Sequence, residues 1–348
     1  MMTIEELVSM AKEKGASDIH LSSGLPPKYR LDGELQNMTE EVLTPDDCDA
    51  VARYLLGNDY EEMQKIGEAD AAATICENRC RIHIFKQQGV PSLALRILSE
   101  RIPVLENLGL PPAALELGKL HKGIVLVTGE TGSGKSTTLA ALLDQINHSR
   151  RNHIVTLEDP IEYIYHPDLC VINQREVGKD TQSFSSGLRA SLREDPDVIL
   201  IGEMRDRDTI STAITAAETG HLVFGTLHTG SAADSIDRMV QVFPEGEQMQ
   251  IRLQLSMVLS AVLTQQLVKK KGGGRTLACE MMVVTDAIRN LIREGKTPQI
   301  ANSIATSASL GGQTMDQSLV RLVRSGTISR ETALEYCKDA NYVKKNAI

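Results

Sequence analysis

The rhythm of apolar and polar positions changes part-way along the chain. Residues 4–14 carry Ile4, Leu7, Val8 and Ala11 at helical spacing, with Gly15 as a C-terminal stop. Residues 17–22 alternate and predict a strand. A turn at 24–27 follows, and then a strand over 28–35 that contains an Asp32-Gly33 turn. Thr44 is the expected N-cap of a helix opened by Pro45 and running to about Leu56, with another helical stretch over 60–65. Residues 79–85 and 91–98 predict two strands joined by the polar turn 86–89. Together, residues 1–98 read as an α+β module with an antiparallel sheet.

Residues 99–112 hold three of the chain's twelve prolines and show no period, which predicts a linker. From 113 to 348 the pattern is different. Short apolar runs at 123–128, 153–157, 170–174, 197–201 and 221–227 alternate with helical stretches at 137–146, 183–194 and 207–219. That alternation predicts a parallel sheet. The last hundred residues read as mostly helical, interrupted by Gly272-Gly273-Gly274 and a strand near 277–284.

Composition narrows the function classes. Hydrophobic residues make up 41% of 348, aromatics only 3%, and there is no Trp, so the cores must be aliphatic. A net charge of −9 argues against a general nucleic-acid-binding face. No apolar run approaches the ~20 residues of a membrane helix. The start of the chain lacks the basic and apolar regions of a signal peptide. Six scattered cysteines predict reduced thiols rather than zinc ligands or disulfides.

The chemistry centres on Gly129-Glu130-Thr131-Gly132-Ser133-Gly134-Lys135-Ser136, which fits the phosphate-loop pattern G-x-x-x-x-G-K-S/T. A β-branched run precedes it. A helix beginning near Thr137, with Leu139, Leu142, Leu143 and Ile146 on one face, follows it. Strand, glycine loop and helix is the context that lets backbone N–H groups surround phosphate oxygens at a helix N-terminus. Residues 129–137 are therefore the expected ATP-binding segment. Lys135 is expected on the β and γ phosphates, and the Ser136 hydroxyl on Mg²⁺.

Hydrolysis also needs a carboxylate for the attacking water, and in open parallel sheets ligands collect at the carboxyl ends of strands. Glu158 and Glu203 sit at two such ends. Glu203 closes the run Val198-Ile199-Leu200-Ile201-Gly202 in the Walker-B position, where Asp is the ordinary residue. It is the expected general base, with Glu158 as an organiser of water or metal. His221 and His228 are further candidates. A lone histidine near a strand end is more often structural, and His228 is the better phosphate sensor because it lies beyond its strand. Arg81 and Arg96 read on physics alone as edge-strand charges. The alternative is a pair of arginines that reach a neighbouring subunit's nucleotide.

These blocks resemble, over essentially the whole chain, the secretion-superfamily ATPases of type II secretion and type IV pili, and most closely the pilus retraction ATPases. Gly15-Ala16-Ser17-Asp18-Ile19-His20-Leu21-Ser22 is similar to the family's N-terminal signature. Thr156 to Glu162 resembles its Asp box, Arg193 to Asp206 its Walker-B region, and Thr215 to Thr229 its His box. Ala287-Ile288-Arg289-Asn290-Leu291-Ile292-Arg293-Glu294 matches the retraction motif in all eight letters. As a helix, that segment is expected to bury Ile288, Leu291 and Ile292 and to expose Arg289, Arg293 and Glu294; composition alone would make it an ordinary amphipathic surface helix.

The resemblance implies a RecA-like ATPase domain preceded by a PAS-like domain, and a homo-hexameric ring. Nucleotide would lie between the domains with Arg81 and Arg96 contributing. It also raises the standing of both histidines. The implied work is pilus retraction in twitching motility, passed to an inner-membrane platform protein. The protein would be cytoplasmic, at the inner face of the bacterial inner membrane, touching it through partners only and binding no nucleic acid. An assembly or type II secretion motor is the runner-up, disfavoured by the lack of a four-cysteine insert and a longer N-terminal extension. Glu130 stands where retraction ATPases usually have Pro, and the segment after Ile328 matches only loosely. A non-hydrolysing nucleotide switch would not need Lys135, Ser136, Glu158 and Glu203 together.

Overall fold

Side-chain caps fix where the first helices begin. In the computed structural model, which describes residues 2–31, 34–98 and 101–347, α1 (Ile4–Glu13) opens on Thr3. Its hydroxyl accepts from the Glu6 amide while the Glu6 carboxylate accepts from the Thr3 amide. Three strands follow: β1 (Asp18–Leu21), β2 (Lys28–Leu31) and β3 (Glu34–Asn37). Thr44 and Asp47 form a second such box at α2 (Pro45–Leu56), and α3 (Tyr60–Ile66) ends at Gly67. Strands β4 (Glu68–Ile75), β5 (Asn78–Gln87) and β6 (Val90–Ile97) complete an antiparallel sheet of order β3-β2-β1-β6-β5-β4.

Residues 1–101 with 160–164 form one unit, and residues 102–159 with 165–348 the other. The first unit has an aliphatic core. Leu7, Val8 and Ala11 of α1 and Cys48 and Ala52 of α2 cluster with Ile19, Leu21, Ile82, Ile84, Leu93 and Leu95 from the strands. Because strand residues alternate between faces, the intervening positions point to the other side.

The second unit opens with α4 (Pro112–Leu115), β7 (Gly123–Thr128) and α5 (Lys135–Ser149). It continues through β8 (His153–Glu158), β9 (Val171–Glu176), α6 (Phe184–Ser191), β10 (Val198–Ile201), α7 (Arg207–Glu218), β11 (Leu222–Leu227), α8 (Ala232–Gln241) and α9 (Glu245–Val258). Next come β12 (Leu259–Lys269), β13 (Arg275–Val283), α10 (Asp286–Arg293), α11 (Ile300–Thr306), α12 (Met315–Arg324), α13 (Arg330–Tyr336) and α14 (Ala340–Asn346). The sheet order is β13-β12-β7-β11-β10-β8-β9, parallel except for the antiparallel pair β12–β13. Every residue of β7, β10 and β11 is buried, as continuous apolar runs covered on both faces require. The fold is α/β and RecA-like, preceded by an antiparallel-sheet module.

Several expectations need correction. The stretch 259–269, read as part of a helical region, is β12 and pairs directly with β7. Its alternation is hidden because Ala261, Val262, Leu263, Thr264 and Gln265 are all buried. Strand β4 was not anticipated: its alanines carry little periodic signal, and an edge strand needs little. Residues 28–35 divide into β2 and the start of β3, and the Asp32-Gly33 turn lies outside the described residues. So do Ser99 and Glu100 of the linker segment. Beyond them, Leu105–Leu108 forms a 3-10 turn with Leu105 buried. The segment after Ile328, which matches the family only loosely, is packed. Ile328, Ala333 and Val343 cluster with Leu319 of α12 and with Val268 and Ala278 of the β12–β13 hairpin. Of the six cysteines, Cys48, Cys80, Cys170 and Cys279 are buried.

Candidate active site

Strand β7 ends at Thr128, whose hydroxyl bonds that of Thr264 on β12 at 2.9 Å. The chain then turns through Gly129, Gly132 and Gly134, all at positive φ. Gly129, at φ 139°, has no room for a side chain, since a Cβ there would lie 2.3 Å from the Gln265 carbonyl and 2.7 Å from Ser133 Oγ. The wall it meets is rigid, for Gln265 Nε2 also donates to Thr138 Oγ1 of α5 at 2.7 Å. Lys135 bends back over the loop and donates to the carbonyls of Gly129 and Glu130 at 2.7 and 2.9 Å. The Glu130 side chain is exposed, consistent with its variable place in the loop.

Two observations show that this loop fits phosphate oxygens. Helix α5 starts at Gly134 with no side-chain cap, and the N-terminus of a helix favours an anion. Ser133 Oγ is buried without a hydrogen-bond partner among the described residues. Ser136, on the first turn of α5, is exposed, as a metal-binding hydroxyl would need to be. Thr131 and Gly132 are exposed too, with Thr137 half-buried.

The strand registers place the other groups. Leu227 pairs with Thr128, Ile201 with Gly225, and Leu157 with Ile201, so β7 and β11 end level, β10 stops at the level of Gly225, and β8 runs one residue past β10. His228 follows β11, Glu203 follows β10 and Glu158 ends β8. At the ~4.8 Å spacing of neighbouring strands, they stand about 5, 10 and 14 Å sideways from the end of β7. Glu203 and His228 form a pair, with His228 Nε2 at 3.4 Å from Glu203 Oε1. Arg205 Nε bonds the same oxygen. The Glu203 side chain is 17% exposed and that of His228 44%, a partly dried carboxylate beside an open imidazole. Thr226 Oγ1 donates to the Gly202 carbonyl and fixes the backbone that carries Glu203. Glu158 is aimed by Thr156 Oγ1, at 2.7 Å, and by Gln174 Nε2, at 3.3 Å.

His221 is not with them in this chain. It precedes β11 at the amino edge of the sheet, where its Nδ1 faces the Ala216 carbonyl at 2.8 Å and Thr219 Oγ1 at 3.1 Å, closing the C-terminus of α7. Arg81 and Arg96 lie in the first unit, exposed and directly opposite each other on β5 and β6. In α10, Ile288 and Ile292 are fully buried and Arg293 and Glu294 exposed, as expected. Leu291 is only half-buried, and Arg289 is not a surface charge: its Nη1 donates to the carbonyls of Ser256 and Met257 at the end of α9. The i, i+3, i+4 pattern cannot reveal that docking, which depends on a neighbour thirty residues away. Thr156, Gln174 and Arg205 were missed as orienting groups. For Thr156 the signal was present, since a residue two before a strand-end carboxylate shares its face.

The sequence profile of the family described as "Type II/IV secretion system protein" matches residues 1–335. The chain is 47% identical over 341 residues to a Pseudomonas aeruginosa protein named type IV pilus retractation ATPase PilT, covering 97% of this chain and 98% of that one. It is 49% identical over 311 residues to a Neisseria gonorrhoeae twitching motility protein, covering 88% and 83%. Among solved structures, the crystal structure of the pilus retraction motor PilT with bound ADP superposes with a TM-score of 0.93 at 45% identity, over 99% of this chain and 100% of that one. No described helix is long and apolar enough to cross a membrane. With its phosphate loop, strand-end carboxylates and near-complete coverage by that profile, the chain belongs to the type II/IV secretion system protein family.

Proposed function

We propose that this chain is an ATP-hydrolysing motor subunit that powers type IV pilus retraction, and that it works as a homo-hexamer. The observation that carries the ATPase reading is the uncapped start of α5 beneath the Gly129–Ser136 loop, with Glu203 two strands away on the same edge. The likeness to the retraction ATPase and the twitching protein supports the pilus reading.

The residues divide the work. The loop amides and Lys135 hold and neutralise the phosphates. Moving Lys135 from the loop carbonyls to a phosphate exchanges neutral acceptors for charged ones, a stronger bond. Ser136 would hold Mg²⁺, which when bound draws charge from the phosphate oxygens. Glu203 takes the proton of the attacking water, and His228 reports the state of that carboxylate to α8. Glu158, locked by Thr156 and Gln174, orders solvent at the far side. Arg81 and Arg96 add positive charge to the nucleotide. His221 acts on α7 rather than on the reacting atoms of its own chain. Helix α10 is the output element, docked on α9 through Arg289, and delivers motion to an inner-membrane platform protein. The protein works at the cytoplasmic face and binds no nucleic acid.

The test is a Lys135→Ala variant. ATP turnover is expected to fall to background with the fold intact; turnover within a few-fold of wild type would remove the phosphate loop from the mechanism.

A further inference from the structure

Two consecutive residues of β12 hold the two ends of the phosphate loop. The three loop glycines at positive φ give it little stiffness of its own, so its shape must be set from its flanks. At the entrance, Thr264 Oγ1 lies 2.9 Å from Oγ1 of Thr128, the last residue before the loop. At the exit, Gln265 Nε2 donates to Thr138 Oγ1 at 2.7 Å. Thr138 is the residue whose amide, donating to the Gly134 carbonyl at 3.0 Å, closes the first turn of α5. Neighbouring strand residues point to opposite faces, so Thr264 shares one face of the sheet with Thr128 while Gln265 reaches α5 from the other. All four side chains are buried, in a strand whose other buried residues are Leu259, Ala261, Val262, Leu263 and Val268. Burying hydroxyl and amide groups there carries a desolvation cost that their mutual bonds merely offset. Apolar pairs of the same shape would serve folding as well. Gln265 Oε1 is moreover buried with no hydrogen-bond partner among the described residues, a further cost that folding gives no reason for.

We propose that Thr264 and Gln265 are positioning residues that clamp the phosphate loop at both ends, holding its amides and Lys135 at the spacing phosphate oxygens need. This inference rests on the reading of residues 129–137 as the ATP-binding segment. It accounts for the polar pair as a unit. Thr264 fixes where the chain leaves β7, and Gln265 fixes where it enters α5. A cradle of backbone amides binds well only when it is ordered beforehand, because freedom left in the loop is lost when phosphate arrives.

The experiment measures, in the full-length protein, the Kd of a slowly hydrolysed ATP analogue, KM and kcat for ATP, and the urea unfolding midpoint. The single variants are Thr264→Val, Thr264→Ser and Gln265→Leu. Two apolar pairs, Thr128→Val/Thr264→Val and Thr138→Val/Gln265→Leu, replace both partners of each bond, and Lys135→Ala is the reference for a lost phosphate contact. Thr264→Val and Gln265→Leu are each expected to weaken analogue binding about fivefold, the scale of one lost neutral hydrogen bond. KM should follow Kd, with kcat within about twofold. Thr264→Ser, which keeps the hydroxyl, should bind like wild type. The apolar pairs should recover the unfolding midpoint, since neither leaves a partner stranded, yet bind as weakly as the single variants. Recovery of binding along with stability would reduce the four residues to packing and overturn the clamp. Wild-type binding by Thr264→Val or Gln265→Leu, with binding lost in Lys135→Ala, would also overturn it while the phosphate-loop reading stands. If Lys135→Ala binds like wild type as well, both are overturned. Should Gln265→Leu fail to fold, the apolar pairs decide the matter.

Discussion

Replacing Gly129 by Ala tests the architecture of the phosphate loop through a single methyl group. Two costs add at this position. The φ of 139° is one that L-residues rarely adopt, and a residue held in such a region costs about 1–3 kcal/mol. The new Cβ would also lie 2.3 Å from the Gln265 carbonyl. That oxygen belongs to buried backbone of β12, which the Gln265–Thr138 bond ties to α5. Overpacking of this kind costs another 1–3 kcal/mol or so. The sum, roughly 2–6 kcal/mol, exceeds what the loop can absorb without leaving its phosphate-binding shape. Gly132→Ala is the internal control. Its φ is 79°, but nothing lies within 4 Å of a Cβ there, so only the conformational cost of about 1–2 kcal/mol applies. The assay is urea unfolding in parallel with equilibrium binding of a fluorescent ATP analogue. Gly129→Ala is expected to lower the unfolding midpoint clearly more than Gly132→Ala and to abolish binding, while Gly132→Ala retains weakened binding. Equal effects of the two substitutions, or near-normal binding by Gly129→Ala, would refute the reasoning from the β12 wall.

Other predictions concern the output helix, the first unit and the thiols. Leu291→Ala removes a half-buried contact of α10 and is expected to leave ATP turnover within about twofold while stopping pilus retraction in cells; unchanged retraction would take Leu291 out of the account. The first unit should be acid-sensitive. The carboxyls of Glu5 and Asp49 are held below their ordinary range chiefly by the hydroxyls of Tyr54 and Tyr60, and that of Asp47 by Thr44. Burial pushes Asp18 up, but Ser17 and Arg96 outweigh it and leave it low as well. Carboxyls depressed in the folded state stabilise it fully above their unfolded values of about 4, and that contribution fades as the pH falls through the folded values. Circular dichroism of the isolated transition should show stability falling from about pH 4 downward; a flat profile to pH 2.5 would contradict these contacts. Finally, burial lifts the thiols of Cys48 and Cys80 to about 11. At pH 8 a thiol reagent should modify the exposed Cys76 first, and prompt labelling of Cys80 in the native protein would show that its strand opens.

Much of this molecule is legible in its sequence, because the decisive signals are local. A glycine loop between a β-branched run and an amphipathic helix is a phosphate loop by its local pattern, and Thr128, Glu158, Glu203 and His228 stand at or just beyond the ends of apolar strands. What could not be read depends on partners distant in the chain. Strand β12 is buried on both faces and so loses the alternation that would have marked it. His221 and His228 flank the same strand and look alike in the sequence, yet the six residues of β11 put them at opposite ends of it. Arg289 looks like a solvent charge until the carbonyls at the end of α9 are brought to it. Asp18 sits inside a recognised signature, but its ion pair with Arg96 appears only when β1 and β6 pair in register.

The central claim is that hydrolysis in this chain drives pilus retraction. Its most direct test counts surface pili and measures twitching in a strain that lacks the protein, complemented with wild type or with Glu203→Gln. The account predicts that Glu203→Gln binds ATP without hydrolysing it, and that cells carrying it keep the abundant, immobile pili of the deletion strain while wild type restores movement. Loss of pili on deletion, or rescue of twitching by Glu203→Gln, would contradict it.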